Sequence, residues 1–301
     1  MKKNGTNVFD LDGSPEVSSS QFVIAGIGEV LWDMLPGGRQ CGGAPANVIF
    51  HASRLGAHGV VVSSVGQDAD GDDLLAFLES KKIDCSFVAR NGLPTGTVTV
   101  TLKEGIPSYK IHQPVAWDAV PYSAALDALV PSLSAVVYGS LAQRDARTRT
   151  TMMKILRHPS LKALKLFDIN LRQDFYSREI VEESLEVADV LKLNDEECAV
   201  LADMFGIAGD SRSVIKELAG RYGLNAVILT LGANGSLLYD GAFAEYPVAP
   251  CEKIVDTVGC GDSFLAAWCV SVLSGEGTDT AMRKATELSA FVAGHKGAMC
   301  E

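Results

Sequence analysis

Short apolar runs that end in polar residues alternate with amphipathic segments along most of the chain. The apolar runs have the length of buried strands, and the segments between them have helical periodicity. The strand-like runs include QFVIAGIG, GVVVSSVG, SAVVYGS, LKLFDIN, ADVLKLN and NAVILTLG. Because strands that alternate with helices form parallel sheets, we predict one α/β domain with a mainly parallel central sheet over residues 21–301. Residues 1–20 are polar and are predicted to form a flexible extension.

One segment departs from this alternation. Residues 95–102 read TGTVTVTL, with Thr and Val alternating, and SYKIHQ follows in the same style after a turn. Strict alternation of polar and apolar residues is the pattern of a strand with one solvent-exposed face, which is typical of antiparallel sheets. We therefore predict a small β-sheet that acts as a lid on the main body, built mainly from about residues 29–41 and 86–117.

The chain is acidic, with a net charge of −11 over 301 residues. General nucleic-acid binding requires a cationic surface, so we expect no nucleic-acid partner, and any anionic ligand must be held by a local arrangement. The seven cysteines are scattered without a CxxC pair, which predicts neither a disulfide framework nor a zinc site. No apolar segment approaches the length of a membrane span and no signal-peptide pattern opens the chain, so we expect a cytoplasmic protein with no membrane partner.

The stretch DTVGCGDSF places two glycines around Cys260 directly before an apolar helical segment. Unpaired N–H groups and the positive end of the helix dipole make such a position an anion site, and glycines allow close approach of phosphate oxygens. Asp262 is then placed beside the anion, where it can take a proton from a hydroxyl. An anion hole with a carboxylate base is what phosphoryl transfer to an alcohol needs. From the residues alone, a glycine-rich helix start with an acidic first turn is the favoured interpretation, because this combination is common.

Polar residues end several of the predicted parallel strands. Ligands gather at the carboxyl ends of parallel strands, so these residues are expected to converge on one crevice. They are Asp168, Asn170, Lys192, Asn194, Thr230 and Gly232. NDEE at residues 194–197 also fits a helix capping box, which would leave the outer oxygen of the Glu197 carboxylate free for another partner.

Several motifs, in the expected order, resemble those of the ribokinase/PfkB sugar kinase family. DTVGCGDSF is similar to the DTxGAGD signature, with Cys260 where the family usually has Ala. The other motifs are GGAPAN (residues 42–47), GQDADG (66–71), NDEE (194–197) and TLGANGS (230–236). The resemblance covers nearly the whole chain. It implies a ribokinase-like three-layer α/β/α fold with a small β-sheet lid, and an enzyme that phosphorylates a sugar with ATP and Mg²⁺.

The resemblance also implies roles for individual residues. Asp262 would be the catalytic base, and the amides of Gly259, Cys260 and Gly261 would stabilise the transferring phosphoryl group. Glu197 would hold Mg²⁺ through water. The remaining assignments are Asp33, Gly42, Gly43 and Asn47 to the sugar, Lys192, Thr230, Gly232 and Gly235 to ATP, Asn194 to both ATP and Mg²⁺, and Asp256 to a monovalent cation such as K⁺.

The motifs GEVLWD, GGAPAN and FDINLR look closest to the fructokinases of the family. In FDINLR, period two predicts that Asn170 and Arg172 point from a strand end into the crevice, where both would bind the sugar; an ion pair between Arg172 and Asp168 is the alternative. Fructose, phosphorylated at its 6-hydroxyl, is therefore the expected substrate. The alternatives are a ribokinase, a 2-keto-3-deoxygluconate kinase, a nucleoside kinase, or a sugar-binding regulator without turnover. Lids of this family often pair between subunits, which predicts a homodimer.

Three arginines follow the predicted strand SAVVYGS. Arg144, Arg147 and Arg149 stand at short spacing in QRDARTRT. We interpret them as a solvated helix face, because a charge run of this kind is usually exposed.

Overall fold

The structure of the protein is a computed structural model that describes residues 22–35, 37–103 and 106–300. The predicted extension over residues 1–20 lies outside the described residues. The strands are β1 Val23–Ile27, β2 Leu31–Leu35, β3 Gly38–Gly42, β4 His58–Gly66, β5 Asp84–Asn91, β6 Gly96–Lys103, β7 Ile106–Ile111, β8 Ala135–Tyr138, β9 Leu164–Asp168, β10 Val190–Asn194, β11 Ala226–Thr230, β12 Ser236–Tyr239 and β13 Phe243–Tyr246. The α-helices are α1 Ala44–Arg54, α2 Ala69–Ser80, α3 Ala124–Leu129, α4 Ala146–Leu156, α5 Arg178–Val187, α6 Asp195–Phe205, α7 Ser211–Tyr222, α8 Cys260–Leu273 and α9 Thr278–Ala293.

The large sheet has the strand order β13-β12-β11-β10-β9-β8-β1-β4-β5. All pairings from β5 to β11 are parallel, and only the two pairings that β12 makes are antiparallel. One face of the sheet packs on α1, α2, α8 and α9, and the other packs on α3 to α7. The predicted three-layer α/β/α architecture with a mainly parallel central sheet is therefore confirmed.

The small sheet has the order β3-β2-β6-β7. β2 pairs with β3 and β6 pairs with β7 in antiparallel fashion, whereas β2 and β6 run parallel. The boundary predicted for its second segment, 86–117, was wrong at the start, because β5 pairs with β4 at the edge of the large sheet. An edge strand leaves part of its surface in water, so its sequence reads like that of a lid strand.

Local sequence explains where the helices around the crevice begin and end. α6 starts with a capping box, in which Asn194 accepts from the amide of Glu197 and Glu197 accepts from the amide of Asn194, and it ends at Gly206 in the left-handed conformation. α8 is apolar on all sides because nearly all of its residues are buried between the sheet and its neighbours. Within the part of the chain that the structure describes, no helix has the length and apolar character needed to cross a membrane.

Candidate active site

The carboxyl ends of the central parallel strands bring the predicted polar residues to one edge of the large sheet. Lys192 on β10 lies opposite Asp168 on β9, and Asn194 at the end of β10 lies opposite Thr230 on β11. The glycine-rich N-terminus of α8 comes to the same place, because Gly261 lies beside the ammonium group of Lys192. A Cβ atom built on Gly261 would be 3.0 Å from Lys192 Nζ. The crevice is thus formed by segments far apart in the sequence.

Residues 256–261, here called the glycine loop, lead into α8. Gly259 is the N-cap residue with φ 81°, a conformation that favours glycine. A Cβ atom on Gly259 would lie 2.5 Å from the Cβ of Ala298, so a side chain is also excluded by contact. The N–H of Cys260 donates to the carbonyl of Thr257 at 3.3 Å, a long bond that partly occupies one of the three amides predicted to bind phosphate. The loop is held at the positive end of a 14-residue helix, where a negative charge is stabilised.

Cys260 adds no negative charge to this loop. Burial raises the pKa of its thiol to about 11, so the thiol is neutral at physiological pH. The substitution of Cys for the usual Ala of the motif is therefore compatible with an anion site.

Asp262 lies in the first turn of α8 and is hydrogen-bonded to a side chain of α1. The side-chain amide of Asn47 donates to Asp262 Oδ2 at 2.8 Å. Burial and the charge of Asp168 raise the pKa of Asp262, whereas Lys192, Asn47 and Arg172 lower it, and the resulting pKa is about 6. A carboxylate with a pKa near 6 is ionised at neutral pH yet more basic than an ordinary aspartate, which suits a general base.

Lys192 and Asp168 form a buried ion pair close enough to Asp262 to affect its pKa. Lys192 Nζ donates to both carboxylate oxygens of Asp168, at 2.8 and 2.9 Å. Burial lowers the pKa of Lys192, but Asp168, Asp262 and Glu197 outweigh it, so the net pKa is raised. Lys192 therefore stays charged and compensates three carboxylates at the edge of the crevice.

Glu197 is more fully engaged than the capping box alone suggests. Its Oε2 accepts from the amide of Asn194 at 2.9 Å, and its Oε1 accepts from the amide of Leu171 at 2.9 Å. The expectation that the outer oxygen is free was therefore wrong. Each carboxylate oxygen has two lone pairs, so both can still accept a hydrogen bond from a metal-bound water.

No cluster of three or more His, Cys, Asp or Glu side chains within the described ranges could hold a metal ion by itself. Mg²⁺ is commonly held by one or two carboxylates, several waters and substrate phosphates rather than by an all-protein cage. The pair of Asn194 and Glu197 fits such an indirect role. The carboxylate of Asp256, at the start of the glycine loop, accepts from the main-chain amides of Val258 at 3.1 Å and Gly297 at 3.0 Å, which fix its orientation.

Of the residues assigned to the sugar, Asn47 contacts Asp262, and Asp33, Gly42 and Gly43 lie close together before the start of α1. Asp33 on β2 lies over Gly42, where a Cβ would be 2.5 Å from its Oδ2. Gly43 precedes α1 with φ 118°, and a Cβ there would be 2.2 Å from the carbonyl oxygen of Glu29. Burial raises the pKa of Asp33 to about 6, and the guanidinium of Arg172 lowers it. The double glycine thus lets Asp33 and the start of α1 approach each other closely.

Arg172 is exposed, and its guanidinium lies close enough to three carboxyl groups of the crevice to affect their pKa values. It lowers the pKa of Glu29, Asp33 and Asp262, although burial raises each of them more strongly. The predicted alternative of an ion pair with Asp168 was wrong, because the structure pairs Asp168 with Lys192. Arg172 therefore links the lid strand β2 electrostatically to the first turn of α8.

The period-two argument for FDINLR was also wrong. β9 ends at Asp168, and Asn170 has φ 42°, which breaks the extended conformation. A short polar side chain tolerates this left-handed conformation, which turns the chain towards α5. Arg172 comes near Glu29, Asp33 and Asp262 through this turn and not along a strand.

The residues assigned to ATP lie on β11 and the turn after it. Thr230 Oγ1 donates to the carbonyl of Leu193 at 3.4 Å. Gly232 and Gly235 have φ 54° and 91°, and a Cβ on Gly235 would lie 2.2 Å from the carbonyl oxygen of Tyr246. Glycine is needed at residue 235 both for its conformation and for this close approach.

An exposed apolar surface lies next to the glycine loop and was not predicted. Ile254 is 64% exposed, Val255 52%, Val258 48% and Phe291 41%. The amide of Val255 donates to the carbonyl of Ala293 at 2.8 Å, which places this segment against the end of α9. Exposure depends on tertiary packing, so no local sequence pattern predicts this surface.

Glu29 is a buried acidic residue near Asp262 that was not predicted as part of the site. It is 4% exposed, its Oε1 accepts from the amide of Ala44 at 3.3 Å, and its Oε2 has no partner among the described residues. Burial, with a smaller contribution from Asp262, raises its pKa to about 7 against the opposing effects of main-chain hydrogen bonds and Arg172. The signal was the acid in GIGEVL, directly after a buried strand.

Arg144 does not belong to a solvated helix face. Its Nε donates to Asp118 Oδ1 at 2.8 Å and its Nη2 donates to Asp118 Oδ2 at 2.9 Å, with both side chains almost fully buried. Its guanidinium also lies 3.9 Å from the ring centre of Trp117. Arg147 is exposed as expected, and Arg149 is partly buried against Glu179 and Glu183.

Comparisons with known proteins agree with this geometry. Residues 37–300 match the model of the pfkB family carbohydrate kinases. The chain belongs to this family, whose members are phosphotransferases with an alcohol acceptor. The family assignment and the fold expected from the sequence motifs are thereby confirmed.

Individual relatives are similar over most of their length. An uncharacterized sugar kinase of Pyrococcus horikoshii is 30% identical over 85% of this chain and 84% of its own, and its crystal structure superposes with a TM-score of 0.79. A crystal structure of that protein in complex with ATP superposes with a TM-score of 0.76, at 27% identity over 92% of this chain and 94% of its own. A nucleoside kinase of Methanothermobacter thermautotrophicus is 29% identical over 85% of this chain and 79% of its own. A fructokinase of Klebsiella pneumoniae is 28% identical over 80% of this chain and 81% of its own.

Proposed function

We propose that this protein is an ATP-dependent fructokinase, which transfers the γ-phosphate of ATP to the 6-hydroxyl of D-fructose. The observation that carries the proposal is the location of Asp262. This carboxylate lies in the first turn of α8, beside the glycine loop, and is held by Asn47 at 2.8 Å. It is placed where one group can take a proton from an alcohol while the loop receives the phosphoryl group.

In the proposed reaction, Asp262 accepts the proton of the sugar 6-hydroxyl while the oxygen of that hydroxyl attacks the γ-phosphorus. The bond between the γ-phosphorus and the β–γ bridging oxygen breaks, and its electron pair leaves with ADP. The main-chain amides of Gly259, Cys260 and Gly261 stabilise the charge on the phosphoryl oxygens at the positive end of α8. Oriented amides in a site that excludes water supply this stabilisation without reorganising.

The donor is proposed to lie along the glycine-containing turn after β11. Thr230, Gly232 and Gly235 line that turn, and Lys192 and Asn194 lie between it and the glycine loop. The exposed apolar surface of Ile254, Val255, Val258 and Phe291 is suited to an adenine ring. The Pyrococcus relative crystallises with ATP, which supports this choice of donor. Mg²⁺ bound with ATP would add positive charge at the phosphates and be held through water by Asn194 and Glu197, and K⁺ would bind near Asp256.

The acceptor is proposed to lie between the small sheet and α1. Asp33, Gly42, Gly43 and Asn47 surround this space, and Arg172 adds a cation to it. Carboxylate and amide groups of this kind bind sugar hydroxyls by hydrogen bonds. The main chain of residue 170 turns into the same edge of the crevice, and Asn170 is proposed as a further sugar contact. The fructokinase relative from Klebsiella supports fructose as the acceptor, and the nucleoside kinase relative, at similar identity, makes a nucleoside the alternative to test.

Sugar-dependent release of ADP from ATP and Mg²⁺ tests the proposal. We expect the highest kcat/KM with fructose in a panel that also contains ribose, 2-keto-3-deoxygluconate and adenosine. A higher value with adenosine or ribose would reassign the acceptor within the family. Failure to release ADP with any acceptor, together with measurable fructose binding, would identify a sugar-binding regulator.

We propose further that two copies associate through the small sheet. Tyr109 on β7 is a large side chain that is 54% exposed, and in a dimer of this kind a second copy would cover it. Light scattering at several protein concentrations distinguishes a dimer from a monomer. Tyr109→Lys should weaken the dimer if the proposal is correct.

A further inference from the structure

Helix α1 contacts the active site at two successive turns. Asn47 holds Asp262 by the hydrogen bond described above, and His51 follows four residues later. Residues four apart in a helix lie on the same face, so both side chains are directed towards α8 and the end of the chain. Asn47 has a role in the proposed reaction, whereas His51 has none so far.

His51 is buried and bonded to the end of the chain. It is 1% exposed, and its Nε2 lies 2.8 Å from the carbonyl oxygen of Ala298. A carbonyl oxygen only accepts, so Nε2 carries the proton and donates. Burial lowers the pKa of His51 to about 4, which keeps the ring neutral at physiological pH. The imidazole ring is therefore held in one tautomer, whose Nε2 donates to one main-chain oxygen.

Residues 295–300, here called the C-terminal segment, lie directly behind the glycine loop. Ala298 occupies the space that a side chain on Gly259 would need, at 2.5 Å from the built Cβ. The amide of Gly297 donates to Asp256 Oδ2 at 3.0 Å, at the start of the same loop. Arg54, one turn after His51, donates to the carbonyl of Cys300 at 2.6 Å. The C-terminal segment thus contacts both ends of the glycine loop and is itself held by α1.

We propose that His51 is a positioning residue for phosphoryl transfer, because it fixes Ala298 against Gly259 and so sets the distance between the glycine-loop amides and Asp262. The inference rests on the proposed kinase function. α1 then aligns both halves of the reaction: Asn47 orients the base, and His51 orients the anion site through the C-terminal segment. A small displacement of the loop affects turnover more than binding, because reacting groups must be aligned within a fraction of an ångström.

The test compares His51→Leu, which removes the donor, with His51→Gln, whose amide can still donate to Ala298. We expect His51→Leu to lower kcat about 10- to 100-fold with each KM changed less than about threefold, and His51→Gln to stay within about threefold of the wild type. Affinity for ADP with aluminium fluoride and fructose, a mimic of the phosphoryl group in transfer, should fall with kcat in His51→Leu. Affinity for ADP alone should not change.

Val48→Ala is the matched control, because Val48 is buried on the same helix and has no place in the proposed site. It should lower the melting temperature and leave kcat unchanged. Equal kcat in His51→Leu and the wild type, with only stability reduced as in Val48→Ala, would overturn the inference and leave the kinase function intact. If His51→Leu does not fold, Ala298→Gly removes the methyl group that packs against Gly259, which is the other half of the proposed connection, and unchanged kcat in that variant would also overturn the inference. A wild type that phosphorylates no acceptor would remove the proposed function and this inference together.

Discussion

The side-chain amide of Asn47 donates to Asp262 Oδ2 at 2.8 Å, and the two residues are 215 positions apart in the sequence. Asn47 is the last residue of the GGAPAN motif and lies on α1, and Asp262 directly follows the glycine loop on α8. This bond joins the acceptor side of the crevice to the carboxylate that would deprotonate the acceptor. It also lowers the pKa of Asp262, against the larger effect of burial, which raises it.

The pH dependence of turnover follows from this pair. Asp262 must be ionised to accept a proton, and its pKa is about 6, so kcat/KM should fall as the pH drops below about 6. Asn47→Ala removes a bond that favours the ionised form, so the acidic limb should move to higher pH. Asn225→Ala, an exposed change of the same kind, is the control. An acidic limb that stays in place in Asn47→Ala would contradict the role of this bond.

Glu29→Gln should change how stability depends on pH. The carboxyl of Glu29 has a pKa of about 7 against an ordinary 4.5, so the folded state holds its proton more tightly than the unfolded state. The stabilisation that the protonated carboxyl adds to the free energy of unfolding is therefore fully present below about pH 4.5 and is lost as the pH rises through about 7. Between pH 5 and pH 8 this loss is about 2 kcal/mol.

Urea unfolding at both pH values measures this effect. Relative to the wild type, Glu29→Gln should gain about 2 kcal/mol in its free energy of unfolding when the pH is raised from 5 to 8. Glu252→Gln removes the same charge from the surface and is the control. An equal difference between Glu29→Gln and the wild type at both pH values would show that Glu29 does not titrate in this range.

The buried pair of Arg144 and Asp118 should matter for stability. Asp118→Asn leaves a buried guanidinium without its counter-charge, and the cost of breaking such a pair is about 3–5 kcal/mol in the free energy of unfolding. The double variant Arg144→Met with Asp118→Asn should lose less than the sum of the two single changes. Glu217→Gln, which breaks the exposed pair with Arg221, should have a much smaller effect. A loss below about 1 kcal/mol in Asp118→Asn would contradict the importance of the pair.

The features that the sequence predicted correctly depend on local chemistry. The alternation of apolar runs and helical segments predicted the parallel sheet, because burial of each strand and one face of each helix leaves a periodic signal. The capping box of Asn194 and Glu197 was visible in NDEE, since both partners lie within one helical turn. The glycine at residue 259 was expected at a helix start and is required there by its contact with Ala298.

The features that were missed depend on segments brought together by the fold. Arg144 is buried because Trp117 and Asp118, from another segment, cover it, and no pattern around residue 144 encodes that contact. The left-handed conformation of Asn170 interrupts a stretch that reads as a strand. The second bond of Glu197 comes from the main chain of Leu171, 26 residues earlier, and main-chain partners carry no sequence signal.

Turnover of Asp262→Asn with fructose and ATP tests the central claim most directly. Asparagine preserves the shape of the side chain and can still accept from Asn47, but it cannot take the proton of the sugar hydroxyl. We expect kcat to fall by about 100-fold or more, with the affinities for fructose and ATP retained. A kcat near that of the wild type would show that the reaction does not depend on Asp262 as its base.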